Sequence, residues 1–338
     1  MAKIIDLVTN AGQVDVTKGI VEEVIKVVPE LEFFDATTIK GTTISTLART
    51  SLPTVAFRNI GDPVSSSRST FEEHEAECKM LSGRAEISDA EIKKNPLMTA
   101  DEQCVDEAVA TLTAAGQTLA KQIWYGPDAA DSKGFDGAVD LVDASMVTKA
   151  GNGTDNANTS VWFLCNGAKT ACGLLFSENS KILGTEDLEF RHGDIEIKAK
   201  KSVLVADESA ESGFKEEEIE YVVGVEPGMI GDLTSYAAFH VANSKQLMRL
   251  CNVTATTGLT DDMLRDCIEA FAEVNNGKLP DAIFMSYKAR KMLRKSRTLT
   301  LQIKSGANAQ VFAPTPVDCD GIRIIATGAI VNTEATVS

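Results

Sequence analysis

Few groups in this chain are suited to acid–base or nucleophilic chemistry. Its three histidines, His74, His192 and His240, lie in no H-E-x-x-H, H-x-E or G-x-S-x-G setting. His74 falls in EEHEAE, which reads as a solvated acidic strand. The seven cysteines (Cys78, Cys104, Cys165, Cys172, Cys251, Cys267 and Cys319) are scattered and form no C-x-x-C pair. None sits in a recognised nucleophile motif, so buried inert thiols are expected, with a cysteine hydrolase as the enzyme alternative. No Walker-type G-x-x-x-x-G-K-[ST] occurs, and no G-x-G-x-x-G follows a strand, which leaves no phosphate cradle. Asp318, Asp320 and Gly321 in VDCDGI are part of a calcium-loop pattern, but its first ligand position is Pro316 and its closing glutamate is missing. Asp128, Asp131 and Asp136 are spaced wrongly for the same loop, so both stretches read as solvated turns. No catalytic residue, metal site or cofactor is expected.

One cluster does stand out. Lys288, Arg290, Lys291, Arg294, Lys295 and Arg297 crowd a short stretch of a chain whose net charge is −16. Nucleic-acid contact would be weak and nonspecific against that background. Contact with an acidic face of another subunit, such as Glu72–Glu77 or Glu216–Glu218, fits better, and a solvated helix face is the third reading.

The elements that would carry these groups are uneven. From Thr17, the apolar residues Ile20, Val21, Val24, Ile25 and Val28 recur at helical steps until Pro29. This short helix reads either as an arm that borrows another surface or as a first helix tucked into its own domain. Residues 38–88 lack a helical period: TTISTLARTSLPTVAFRNI reads as an extended strand, GDPVSSSRS as a turn, and TFEEHEAECKM as the returning strand. A two-stranded ribbon has almost no core of its own, so something outside must stabilise it. The spacing then predicts a long helix from Thr99 to about Tyr125, opened by the capping box Thr99–Glu102 and closed by Gly126-Pro127. At 1.5 Å per residue it is about 40 Å long.

Further on, TSVWFLC and ACGLLF read as a hairpin-like pair around NGAKT, followed by short strands at ILGTEDLEF, DIEIKAK, VLVADE and EIEYVVGVE. A helix over TDDMLRDCIEAFAEVNNG has Thr260 as N-cap and a Leu259–Leu264 staple. A strand DAIFMS, a basic helix YKARKMLRKS and the strands LTLQIK and GIRIIA complete the chain. Strands and helices mixed without strict alternation indicate an α+β fold.

A length of 338 residues suggests about two domains, and 43% hydrophobic with 24% charged residues is ordinary for a globular protein. The apolar stretch in the first fifteen residues is too short for a signal peptide, and no run is long enough to span a membrane.

Several stretches together resemble the major capsid proteins of tailed double-stranded DNA bacteriophages. They are SLPTVAFRNIG with the strand back to SGRAEISDAEI, then GFDGAVDLV, TSVWFLCNGAKTACGLLF and GIRIIATGAIVNTEATV, in the family's order. The resemblance implies the Hong Kong 97-type capsid fold. Its parts would be an N-terminal arm (1–37), an extended loop or E-loop (38–88) and a peripheral domain (89–150) whose spine helix is 99–125. An axial domain (151–338) would follow, with some C-terminal strands returning to the peripheral domain. It further implies a structural protein whose identical subunits form hexamers and pentamers and close an icosahedral shell around double-stranded DNA, without sequence-specific binding. The shell would be assembled in the bacterial host cytoplasm, with no membrane involved. Portal and decoration proteins would be further partners; the arm begins almost at once, so the scaffolding protein is separate or absent. An encapsulin-like compartment is the alternative of the same fold.

The E-loop would lie on an adjacent subunit through Arg49, Leu52, Pro53, Val55, Phe57 and Arg58. The arm would pack on a neighbour's spine helix through Val24, Ile25 and Val28, and the basic helix would contact another subunit through Lys288, Arg290, Lys291 and Arg294. Residues 42–78 contain no lysine, so lysine crosslinking through this loop is not expected.

Overall fold

The computed structural model describes residues 28–60, 63, 66–94, 97–127, 133–178, 190–206, 214–297, 299–302, 308–311 and 313–337. The strands are β1 (Ala36–Ile39), β2 (Thr43–Ser51), β3 (Thr70–Glu77), β4 (Lys79–Ser88), β5 (Val147–Lys149), β6 (Thr159–Leu164), β7 (Cys172–Ser177), β8 (Arg191–Ala206), β9 (Phe214–Val241), β10 (Leu247–Val253), β11 (Ala282–Ser286), β12 (Leu299–Gln302), β13 (Asn308–Val311), β14 (Asp318–Cys319) and β15 (Ile322–Thr327). The helices are α1 (Pro29–Phe33), α2 (Asp89–Lys94), α3 (Ala100–Tyr125), α4 (Ala138–Leu141), α5 (Asp261–Val274) and α6 (Tyr287–Ser296).

Helix α3 organises the interior. The Thr99 hydroxyl accepts from the Glu102 N–H while the Glu102 carboxylate accepts from the Thr99 N–H, so two otherwise orphaned donors are satisfied reciprocally. Gly126 ends the helix at φ 66°, a conformation costly for any residue with a Cβ. Its inner face, Leu112, Leu119, Ile123 and Trp124, is buried.

A six-stranded sheet runs β14-β15-β11-β6-β10-β5, and a second sheet runs β1-β7-β9-β4 with β8 added on β9. Strand β6 shows why the six-stranded sheet has no wet face. Trp162 and Leu164 join Trp124 and Phe34 in one core cluster, whereas Val161 and Phe163 join Leu264, Phe271 and Leu293 of α5 and α6 in the other. Alternation of period two therefore separates two apolar layers.

Three sequence expectations change. TSVWFLC and ACGLLF do not form a hairpin: β6 pairs with β10 and β11, whereas β7 pairs with β1 and β9 in the other sheet. All residues of both strands are buried, as in strands covered on both faces, and the turn between them carries the chain from one sheet to the other. A Cβ on Gly173 would sit 2.3 Å from the Ala168 Cα, so this tight crossing requires glycine. Second, DIEIKAK and the first four residues of VLVADE are one strand, β8, and EIEYVVGVE lies within the 28-residue β9; the two strands pair antiparallel along their length. ILGTEDLEF falls almost wholly outside the described residues. Third, the strand read over TTISTLARTSLPTVAFRNI stops at Ser51, just before Pro53, which has no N–H to donate to a ladder. The returning strand breaks at Cys78, whose N–H donates to the Thr42 carbonyl at 2.7 Å, and β4 beyond it pairs with β9.

Candidate functional site

Among the described residues, strands β2 and β3 pair only with each other, Thr43 opposite Glu77 through Ser51 opposite Thr70. The ribbon is anchored at its root, where Ile39, Ala76, Cys78, Leu175 and Ala238 form a small apolar cluster. There the Thr46 hydroxyl lies 3.2 Å from His240 Nε2. Burial, reinforced by His74, pushes the His240 imidazole down to about 4. At the other end Leu52, Pro53, Val55, Phe57 and Arg58 are all exposed, with Phe57 and Ile60 at 107% and Val55 at 90%. Arg49 stacks its guanidinium 5.3 Å from the Phe71 ring centroid, partway along the ribbon.

A groove of about 830 Å³ lies beside the ribbon's root, between the C-terminal half of α3 and the start of β4. Met80, Leu81, Leu119, Tyr125, Phe135 and Val331 line it. At about 3.3 Å per residue, the nine residues of β2 carry the tip some 30 Å from this root. A paired ribbon cannot fold back over that distance onto its own groove. Sequence reasoning missed the groove because its walls come from stretches far apart in the chain.

The basic helix forms as expected over Tyr287–Ser296, with Ala289 and Leu293 buried against the sheet. Its charges have different surroundings. Lys288 donates to the Ala157 carbonyl at 3.0 Å, Arg294 to the Ala313 carbonyl at 2.7 Å, and Arg290 stacks 5.2 Å from the Tyr287 ring centroid. Lys291 and Lys295 are exposed. In the arm, Val28 is 2% exposed and belongs to the chain's own core cluster with Leu119 and Trp124, so it does not reach a neighbour's helix as expected. Val24 and Ile25 lie outside the described residues.

The thiols that invited a chemical reading are locked away. Every cysteine is buried, and burial raises each thiol pKa, to about 11 for Cys78 and Cys319 and about 12 for Cys267. A hydrolase needs the opposite shift. Asp320, in the turn considered for calcium, accepts from Arg265 Nε at 3.1 Å. No cluster of three or more metal-ligating side chains occurs among the described residues. The strongest polar constellation is internal: Arg249 donates to Glu334 and Ser160 at 2.9 Å each, and the Tyr125 hydroxyl donates to Glu334 while accepting from the Val331 N–H. Burial and the Glu334 charge hold the Tyr125 phenol well above its ordinary range. This clamp fastens the C-terminal segment onto α3, β6 and β10.

The described residues thus present a projecting two-stranded ribbon with an exposed apolar tip and a long helix packed behind a sheet. The family described as Major capsid protein GP7 matches residues 16–204, more than half of the chain. The chain belongs to that family. Among solved structures, that of bacteriophage Epsilon15 is similar at 16% identity with a TM-score of 0.54, covering 90% of this chain and 88% of that one. The procapsid of bacteriophage JBD30 matches at 10% identity and a TM-score of 0.43, covering 96% and 98% of the respective chains. An encapsulin complex from Synechococcus elongatus matches at 8% and 0.42, over 68% and 89%. No curated protein matches. This GP7-family chain has the Hong Kong 97-type fold and a structural, capsid-forming role built from many copies, with its place in the virion capsid.

Proposed function

We propose that the chain builds its shell through head-to-tail contacts in which the ribbon tip of one subunit fills the root groove of the next. The observation that carries this reading is the distance between tip and groove: about 30 Å of paired strand separates them, so the tip that fills the groove belongs to a second copy. Such a heterologous contact joins different surfaces of identical subunits, and it closes into rings of six and five and then into an icosahedral shell. On this reading residues 1–37 act as arm, 38–88 as extended loop, 89–150 as peripheral domain and 151–338 as axial domain. Arg49, Leu52, Pro53, Val55, Phe57 and Arg58 form the loop contact, and Lys288, Arg290, Lys291 and Arg294 a second one. The shell encloses double-stranded DNA and is assembled in the bacterial cytoplasm, with a portal, a separate scaffolding protein and decoration proteins as further partners. A net charge of −16 suits a container whose wall must not adsorb its contents.

Deleting residues 51–62 tests the reading. The expected product is a folded, soluble chain that forms no shells, seen by circular dichroism and electron microscopy. Shells of normal size from the deleted chain would overturn the role given to the tip.

A further inference from the structure

Helices α5 and α6 pack on the same face of the six-stranded sheet, where their buried residues share one core cluster. Arg297, just past the end of α6, donates to Asp261 at the start of α5 at 2.7 Å. Their outer faces carry opposite charge. On α5, Asp262, Asp266, Glu269 and Glu273 are all exposed, and their three- and four-residue steps place them within about 60° of one another around the helix axis. On α6, Tyr287, Lys291 and Lys295 are exposed at four-residue steps.

Neither stripe is neutralised within the chain. Asp262 lies 3.5 Å from Arg265, which also pairs with Asp320 at 3.1 Å. No ion pair joins Asp266, Glu269, Glu273, Lys291 or Lys295 to any described residue. Lys278, beyond the end of α5, donates to the Gln246 side chain at 3.4 Å. Carboxylates at this spacing on one helix face repel one another, in a chain whose net charge is −16. The carboxylates of β3 are less free: Glu73 accepts from Ser45, Glu77 pairs with Lys79 at 2.5 Å, and Glu72 lies 4.0 Å from His74.

The two stripes also match in length and shape. Asp266 to Glu273 spans about 10 Å and Tyr287 to Lys295 about 12 Å, at 1.5 Å per residue. The acidic stripe borders an open groove of about 580 Å³ whose lining includes the small residues Ala270, Ala272 and Gly277. A Cβ on Gly277 would meet nothing within 4 Å, so this end of the groove has room for a ring. An antiparallel setting brings Tyr287 to that end, Lys291 between Glu269 and Glu273, and Lys295 to Asp266.

We infer that helix α5 of one subunit receives helix α6 of the next, antiparallel, with Lys291 and Lys295 against Asp266, Glu269 and Glu273. The occupant is a second copy because every subunit carries both halves of the match on different surfaces, which is a head-to-tail arrangement. This rests on the shell reading and names the surface that its basic helix meets. Lys291 and Lys295 carry that contact, since Lys288 and Arg294 already donate to the Ala157 and Ala313 carbonyls.

Two experiments test the inference. In the first, Asp266→Lys, Glu269→Lys and Glu273→Lys are combined in one chain, Lys291→Glu and Lys295→Glu in a second, and all five in a third. All five positions are exposed, so each chain is expected to fold, and urea unfolding checks this. Each partial reversal should lower the yield of shells about tenfold, and the full exchange should restore it. The first chain has a smaller net charge than the native one, so general repulsion alone would raise its yield. Native yield from either partial reversal, or no recovery in the full exchange, overturns the contact. The second experiment uses native chains. Particles assembled from equal amounts of ordinary and heavy-nitrogen subunits are treated with a carbodiimide, which joins a lysine amine to a carboxylate it touches and leaves as its urea. Peptide mass spectrometry should find Lys291 or Lys295 linked to Asp266, Glu269 or Glu273, with light and heavy partners mixed. Particles in which such links are absent, or confined to one isotope, overturn this contact alone, whereas native chains that form no particles overturn the shell reading.

Discussion

Phe57→Ala isolates the ribbon tip. Phe57 is wholly exposed, so truncating it removes no packing from the single chain, and the unfolding free energy is expected to stay within about 0.5 kcal/mol of native. In the shell the same ring is buried in a neighbour's groove, which contributes about 1.5–3 kcal/mol. Taking about 2 kcal/mol, and tenfold for every 1.4 kcal/mol, the contact weakens about thirtyfold. Each subunit donates a tip and receives one, so the concentration at which shells appear should rise by a similar factor. Light scattering over a dilution series measures that threshold, and urea unfolding of the unassembled chain measures the fold. A threshold within threefold of native would refute the reasoning. So would a chain that loses more than about 1 kcal/mol of stability on its own, because the ring would then be packed at home.

Other outcomes test the interior. Glu334→Gln leaves Arg249 charged and buried, and should cost about 3–5 kcal/mol in urea unfolding; a loss under 1 kcal/mol would show that the clamp is solvated. His240 titrates at about 4 when folded and near 6.5 when unfolded, so the unfolded chain binds the proton first. Its contribution to stability is therefore complete above pH 6.5 and lost as pH falls toward 4, by about 3 kcal/mol in all. His240→Asn should flatten that part of the stability–pH curve, and an unchanged slope would contradict the assignment. A thiol reagent at neutral pH should leave the native chain unlabelled for minutes and label all seven cysteines after unfolding; rapid labelling of one native thiol would revive a nucleophile.

What the sequence made legible was local. Thr99 and Glu102 stand three residues apart and Gly126-Pro127 follows directly, so the long helix and both its ends could be read without knowing what it packs against. Helix α5 carried a similar short-range cap at Thr260, whereas the Ser286 cap of α6 emerged only from the structure. The coreless first ribbon was visible as well, though Pro53 ends its strand earlier than the run of β-forming residues suggested. The misreadings share a cause. The apolar runs of β6 and β7 carry no alternation to say which sheet each joins, and their closeness in sequence favoured a hairpin that the fold does not make. The continuous β8–β9 pairing was hidden because glycines and charged residues interrupt its strand pattern. Arg249 and Glu334 are 85 residues apart, and the groove joins Leu81 to Val331; no spacing rule reaches across such separations.

On the shell reading, identical copies supply the surface that a projecting ribbon lacks. Electron microscopy of the purified chain across a concentration series tests it most directly. The account predicts closed shells of uniform size, each with the Phe57 tip of one subunit resolved in the groove between α3 and β4 of its neighbour. A chain that stays monomeric at every concentration, or shells in which that groove stands empty, would contradict it.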